Sequence, residues 1–240
     1  MKAMRSIGVV LLYLISSTAL AVVPSNWSMR GEATRLDTQE LFYTEYHELL
    51  ARHPDGQEHW RIHYISPEGQ LKAQKDLTYG TQMPFVPELV WQDFVPQLTI
   101  TGQIDGDSVN QNTQDPLRSE QRTATITQPN QTAYDAGFDR LLRSQFDTLL
   151  QQGRIRFDFL SLNTSQTFRF RAVVVAHDEA SIQVRVEPET AFIRLFVDPI
   201  VLTYDVTTQH LIRYVGVTNF RREGDLVTAR IEYENRGERP

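Results

Sequence analysis

Three histidines, His47, His59 and His63, stand at odd positions of two alternating segments, Leu41 to Leu50 and Glu58 to Ile65. Imidazole nitrogens are ligands for transition metals, so their spacing is the first thing to test. Between the segments lies His53-Pro54-Asp55-Gly56, where proline presets φ and glycine tolerates a positive φ. A hairpin with a glycine bulge on that turn pairs residues whose numbers sum to about 110. This register sets His47 opposite His63, with His59 on the same face. It gathers Phe42, Tyr46, Leu50, Trp60, Ile62 and Tyr64 on the other. Glu45 and Arg61 share the histidine face, and burying that face would bury charge. The expectation is therefore that His47, His59 and His63 are exposed to solvent and hold no metal.

Other chemistry is sparse. Asp105 to Asn110 approaches a calcium loop, but Val109 takes a ligand position and Asn110 stands where glycine is required. The chain has no cysteine, no Gly-x-Ser-x-Gly elbow, no His-Glu-x-x-His and no glycine-rich phosphate loop. Acidic residues are numerous enough that a carboxylate pair by itself marks nothing. Neither a cofactor nor a metal is expected.

Aromatic strands offer a different kind of site. Arg154 to Phe159 and Thr167 to Arg171 alternate strictly, which puts Phe157, Phe159, Phe168 and Phe170 on one inward face. Leu142 and Phe146 lie on the apolar stripe of the preceding helix. These six residues are the candidates for lining an apolar ligand site between sheet and helix, or for filling it as core.

The elements that would position them are mostly strands. The first hairpin continues through Ser66-Pro67-Glu68-Gly69 into Leu71 to Tyr79, which alternates with Leu71, Ala73, Leu77 and Tyr79 on one side. Further strands are expected at Ile182 to Val186, Ile193 to Val197, Val201 to Tyr204, Leu211 to Val217 and Val227 to Tyr233. Short connections favour antiparallel neighbours. Residues 102–132 are rich in Gln, Asn, Thr, Asp and Ser and read as a long polar loop or weak hairpin. One amphipathic helix is expected over Asp135–Gln152, capped by Asp135 and ended by Gly153. The fold expected is mostly β: a curved antiparallel sheet or incomplete barrel of nine to eleven strands, with the helix on its concave side.

The N-terminus reads as an export signal. Lys2 and Arg5 precede an apolar run from Ile7 to Ile15, and Ala19-Leu20-Ala21 presents small residues for cleavage after Ala21. That run is shorter than the roughly 20 residues of a spanning helix. Without Lys2 and Arg5, the remaining 22 basic residues face 30 acidic ones, a net charge of −8. Such a chain has no electrostatic attraction for nucleic acid or an anionic membrane. Lacking cysteine, it carries neither disulfides nor a lipid anchor. A soluble periplasmic protein with a single domain over residues 22–240 is the expectation, and it is not membrane-spanning.

The run from the helix through Gly153 and the aromatic hairpin to Phe170 resembles uncharacterised Gram-negative envelope proteins with a curved antiparallel half-barrel. That architecture is similar to the periplasmic lipoprotein carrier and receptor, LolA and LolB, whose half-barrel holds acyl chains under a helical lid. The resemblance covers about the last half of the chain. It implies non-catalytic binding or carrying of an apolar or amphipathic envelope ligand, such as a lipid or acyl chain. The alternatives are an envelope enzyme whose site is assembled only in three dimensions, or a structural or interaction module.

Overall fold

Period-two alternation turns almost the whole chain into strands. The computed structural model describes residues 23–192, 194 and 198–236, and among these fifteen strands pair into one continuous sheet. The export segment and most of the expected strand at Ile193 to Val197 lie outside the described residues. A first meander runs through β1 (Met29–Arg35), β2 (Leu41–Arg52), β3 (Glu58–Ile65), β4 (Leu71–Tyr79), β5 (Glu88–Asp93), β6 (Leu98–Asp105), β7 (Ser108–Asp115) and β8 (Arg118–Thr125). The short strand β9 (Thr132–Tyr134) precedes two helices, α1 (Gly137–Ser144) and α2 (Phe146–Gln152). The chain then forms β10 (Arg154–Leu160), β11 (Thr167–His177), β12 (Ser181–Pro188), β13 (Ile200–Asp205), β14 (Leu211–Arg222) and β15 (Asp225–Asn235). β1 pairs with β15 and joins the two halves, leaving β8 and β9 at the edges. Every pairing is antiparallel except that of β9 with β10.

The sheet curls upon itself. Trp91 on β5 and Phe220 on β14 are separated by five intervening strands, yet their ring centroids are 5.3 Å apart. Side chains, not a backbone ladder, bridge the edges. Gln111 Nε2 donates to the Leu162 carbonyl at 2.7 Å, Tyr134 OH donates to Gln111 Oε1 at 2.9 Å, and Arg122 Nη1 donates to the Thr164 carbonyl at 2.7 Å. The result is a mostly antiparallel, barrel-like β fold, open along one seam. It has fifteen strands where the sequence predicts nine to eleven.

Much of the excess comes from the polar stretch. Of the two readings of residues 102–132, the hairpin holds: they form the end of β6, all of β7 and β8, a 3-10 turn at Pro129–Gln131 and the start of β9. β8 is largely exposed on both faces, and β7 buries only Val109 and the polar Gln111, so no apolar alternation marks them. The ladder from Ser108↔Thr125 to Asp115↔Arg118 is nonetheless unbroken. Backbone pairing forms it, and its threonines suit a pleated surface.

The helix also departs from expectation. It breaks at Gln145 (φ −108°, ψ 18°) into α1 and α2, and Gly153 ends α2 in the left-handed conformation (φ 71°). Leu141, Leu142, Phe146 and Leu149 form its buried stripe, with α2 packed on β10 and β11. Asp135 does not cap; it enters the interior instead. The helical segment ties opposite sides of the sheet together. Arg140 reaches Glu58 on β3 and lies 3.6 Å over the Tyr79 ring, while Asp139 accepts from Tyr204 OH on β13 at 2.9 Å.

The first hairpin carries the most consequential correction. Near the turn the expected register holds, with Arg52↔Glu58 and Ala51↔His59. A β-bulge at Leu50 then shifts it by one residue, giving Leu49↔Trp60, His47↔Ile62 and Glu45↔Tyr64. A one-residue slip sends every following side chain of β2 to the opposite face. Tyr43, Glu45 and His47 therefore point inward beside Trp60, Ile62 and Tyr64, whereas Phe42 and Tyr46 are half-buried and Leu50 is exposed. His59 and His63 stay on the outer face, half-buried. Among the described residues, no cluster of three or more His, Asp or Glu side chains is arranged to hold a metal ion.

Candidate functional site

The curled sheet encloses a cavity of about 460 Å³, partly open to solvent. One wall comes from the aromatic hairpin. Phe157 pairs with Phe170 and Phe159 with Phe168 across β10 and β11, and all four line the space. Phe170 holds the set together, with ring centroids 6.1 Å from Phe157 and 5.6 Å from Phe159. Val186, Pro188 and Ile200 continue this wall. Leu142 and Phe146, the other two candidates from the sequence, are fully buried but do not line the cavity. Phe146 packs its ring edge on Tyr204, 5.9 Å between centroids, so these two residues brace the floor behind the site.

The facing wall, from β1 to β5 with β14 and β15, combines apolar surface with buried polar groups. Ile62, Leu77, Tyr64 and Trp91 supply the apolar part. Lys75 and Asp135 form an ion pair with both side chains more than nine-tenths buried. Asn219 Nδ2 donates to the second Asp135 oxygen at 2.9 Å, and the Lys75 ammonium lies 5.2 Å from the Trp91 ring centroid. Asp135 takes a positive φ of 46°, which aims its carboxylate back toward β4.

A second cluster links three strands. Glu45 Oε1 lies 2.9 Å from His47 Nε2 and accepts from Tyr233 OH at 2.8 Å. Tyr233 belongs to β15 and Glu45 to β2, with Gly31 of β1 between them. A Cβ on Gly31 would lie 2.6 Å from the Tyr233 ring, so the missing side chain is what lets the phenol cross β1. Burial, and then the neighbouring Glu45 charge, push the Tyr233 hydroxyl well above the ordinary tyrosine range. The phenol is therefore a neutral donor. His47 Nε2 reaches the same Glu45 oxygen, its donor or acceptor role set by the tautomer. Its Nδ1 is buried without a partner, as is the Trp91 indole N–H.

The mouth is polar. Asn163, Thr164, Asp198 and Arg221 line it from exposed positions, and Arg221 donates to Asn163 Oδ1 at 3.3 Å and to the Gly224 carbonyl at 2.7 Å.

Sequence reasoning placed the phenylalanine wall and missed the polar one. Lys75 had a readable signal, for it occupies an inward slot of the alternation Ala73, Leu77, Tyr79. Glu45 and His47 had none in period two, since a bulge reversed their side. Asp135 was hidden by its resemblance to a helix cap.

A curled antiparallel sheet around an apolar chamber with buried polar groups defines a barrel-like protein with an internal site. No family model matches the chain, and no curated protein matches it. Among solved structures it is similar to a β-barrel-like protein of a domain of unknown function, DUF1849, from Brucella abortus. Identity is 8%, the TM-score is 0.48, and the match covers 88% of this chain and 97% of that one. No helix among the described residues is long and apolar enough to cross a membrane.

Proposed function

We propose that this is an exported, periplasmic protein that binds an apolar or amphipathic envelope ligand, such as a lipid or acyl chain, inside the barrel-like sheet. The binding is non-catalytic, in the manner of half-barrel carriers of the LolA and LolB kind. One observation carries the reading: a chamber of about 460 Å³ walled by four phenylalanines and open at a polar mouth. That volume lies within the range of small-molecule sites, roughly 300–1,000 Å³, and the mix of apolar walls with few polar groups is typical of them. The test is native mass spectrometry of protein from a periplasmic extract, followed by organic extraction. A chain beginning at Val22 with a co-purifying lipid is expected. Ligand-free protein that also fails to bind an apolar fluorescent probe would overturn the reading.

A second reading, an enzyme on an envelope substrate, is favoured by one feature: the Glu45, His47 and Tyr233 cluster inside the chamber. It requires turnover of an acyl ester such as p-nitrophenyl laurate that is abolished by His47→Ala. The binding reading expects none.

A further inference from the structure

The charges inside the chamber constrain which amphiphile fits it. Among the described residues, six charged side chains line the cavity: Glu45, Lys75, Asp135, Asp139, Asp198 and Arg221. Four are acidic and two basic. Lys75 is committed to Asp135, and Arg221 sits at the exposed mouth, hydrogen-bonded to its own turn and to Asn163. Asp139 is matched by Arg143 on the same helix, and Glu45 is held by His47 and Tyr233. Deep in the site, no lining Lys or Arg among the described residues is left over to neutralise an incoming anion. A ligand carboxylate at Lys75 would share one ammonium with Asp135, and two like charges would compete for it in an apolar wall.

Hydrogen-bond donors, in contrast, remain unspent. Trp91 lines the chamber with its indole N–H buried and without a partner, and indole nitrogen only donates. Trp91 is the cross-strand partner of Lys75, whose ammonium carries three N–H groups and lies against the indole ring. Two neighbouring donors in an apolar wall that already holds its counter-charge suit an acceptor oxygen without a full charge. An ester or amide carbonyl supplies one.

We propose that the cavity selects uncharged acyl ligands, esters or amides of fatty acids, over free fatty-acid anions, with the carbonyl oxygen seated at Lys75 and Trp91. This deepens the binding reading above and rests on it. The experiment is displacement of N-phenyl-1-naphthylamine, an uncharged probe, from the full-length mature protein at pH 7.5. Monolauroylglycerol and laurate, which share an acyl chain and differ in charge, are the competitors, both below their micellar concentrations. Monolauroylglycerol is expected to displace the probe at an at least about tenfold lower concentration, a difference of about 1.4 kcal/mol. Equal or tighter displacement by laurate would overturn this proposal and leave the binding reading standing. Failure of the probe and both competitors to bind would sink the binding reading and this inference with it. Asp135→Asn provides a second arm, because it leaves Lys75 without its carboxylate. In the folded variant the preference is expected to shift toward laurate by about tenfold or more. A folded variant with an unchanged ratio would overturn the role given to the pair, and a variant that does not fold leaves the wild-type comparison to decide.

Discussion

The two walls of the cavity are built by the same alternation and end up chemically opposite. On β10, β11 and β12 every lining side chain is uncharged, and the four phenylalanines alternate with arginines and acids that remain outside. On β2 and β4 the same period carries Glu45, His47 and Lys75 inward, where Glu45 and Lys75 meet partners supplied from elsewhere in the fold and His47 leans on Glu45. Lys75 finds Asp135 on the connection to the helices, and Glu45 finds Tyr233 across an intervening strand. Period two specifies which residues share a side. It does not specify that the buried side is apolar, because a charge matched across strands can be kept inside.

The comparison can be broken most sharply at the ion pair. Lys75→Met leaves Asp135 buried without a cation and is expected to cost about 3–5 kcal/mol, read as the shift in urea midpoint. A cost below about 1 kcal/mol would mean that the polar wall relaxes freely and that the two walls differ in name alone. Behind the phenylalanine wall, Leu142→Ala is expected to cost about 2–5 kcal/mol, since the side chain is fully buried among close-packed neighbours. An unchanged midpoint would detach the helical segment from the sheet. On the wall itself, Phe159→Ala should cost less than about 2 kcal/mol, below the usual Phe→Ala range. The ring is half-buried, and the space it vacates joins a chamber already open, so the variant should weaken probe binding more than stability. A loss as large as that of Leu142→Ala would show packed core where the structure has a cavity wall.

The smallest effect is expected at Glu58, where α1 is fastened to β3. Burial raises its carboxyl, but hydrogen bonds from Trp60, Arg140 and Arg52 outweigh that and hold it below the ordinary glutamate range. Its contribution is therefore present above the unfolded value and is lost as pH falls through the depressed folded one. The stability difference between wild type and Glu58→Gln, followed by denaturation from pH 7 to pH 3, should shrink toward acid. A difference that grows instead would place the carboxyl's partners elsewhere.

Where side chains alternate over one buried face, the sequence was legible. β3 and β4 begin and end where pattern and turn chemistry place them, and the phenylalanines of β10 and β11 share the side that alternation assigns. Legibility failed for three physical reasons. β8 is wet on both faces and β7 buries only Val109 and the polar Gln111, so backbone pairing holds them with no apolar signature. The helical stretch from Gly137 to Gln152 is apolar at the right spacings, yet it breaks at Gln145, a residue with ordinary helix propensity. The cavity's polar residues come from distant positions, Glu45 with Tyr233 and Lys75 with Asp135, and pairing across that much chain leaves no local mark.

Leu50 adds length to β2 without adding a partner on β3, and that single extra residue works as a phase shifter for the strand. Excising it would re-sort the strand by parity. Tyr46 would rotate toward the chamber while Glu45 and His47 rotated out, and Tyr233 would lose the acceptor that draws it across Gly31. No other residue would change identity. The polarity of this interior is thus governed by chain length as well as by composition: one residue more or less near the His53–Gly56 turn decides whether β2 offers the chamber Glu45 and His47 or Tyr46, while Lys75 and Asp135 stay in place.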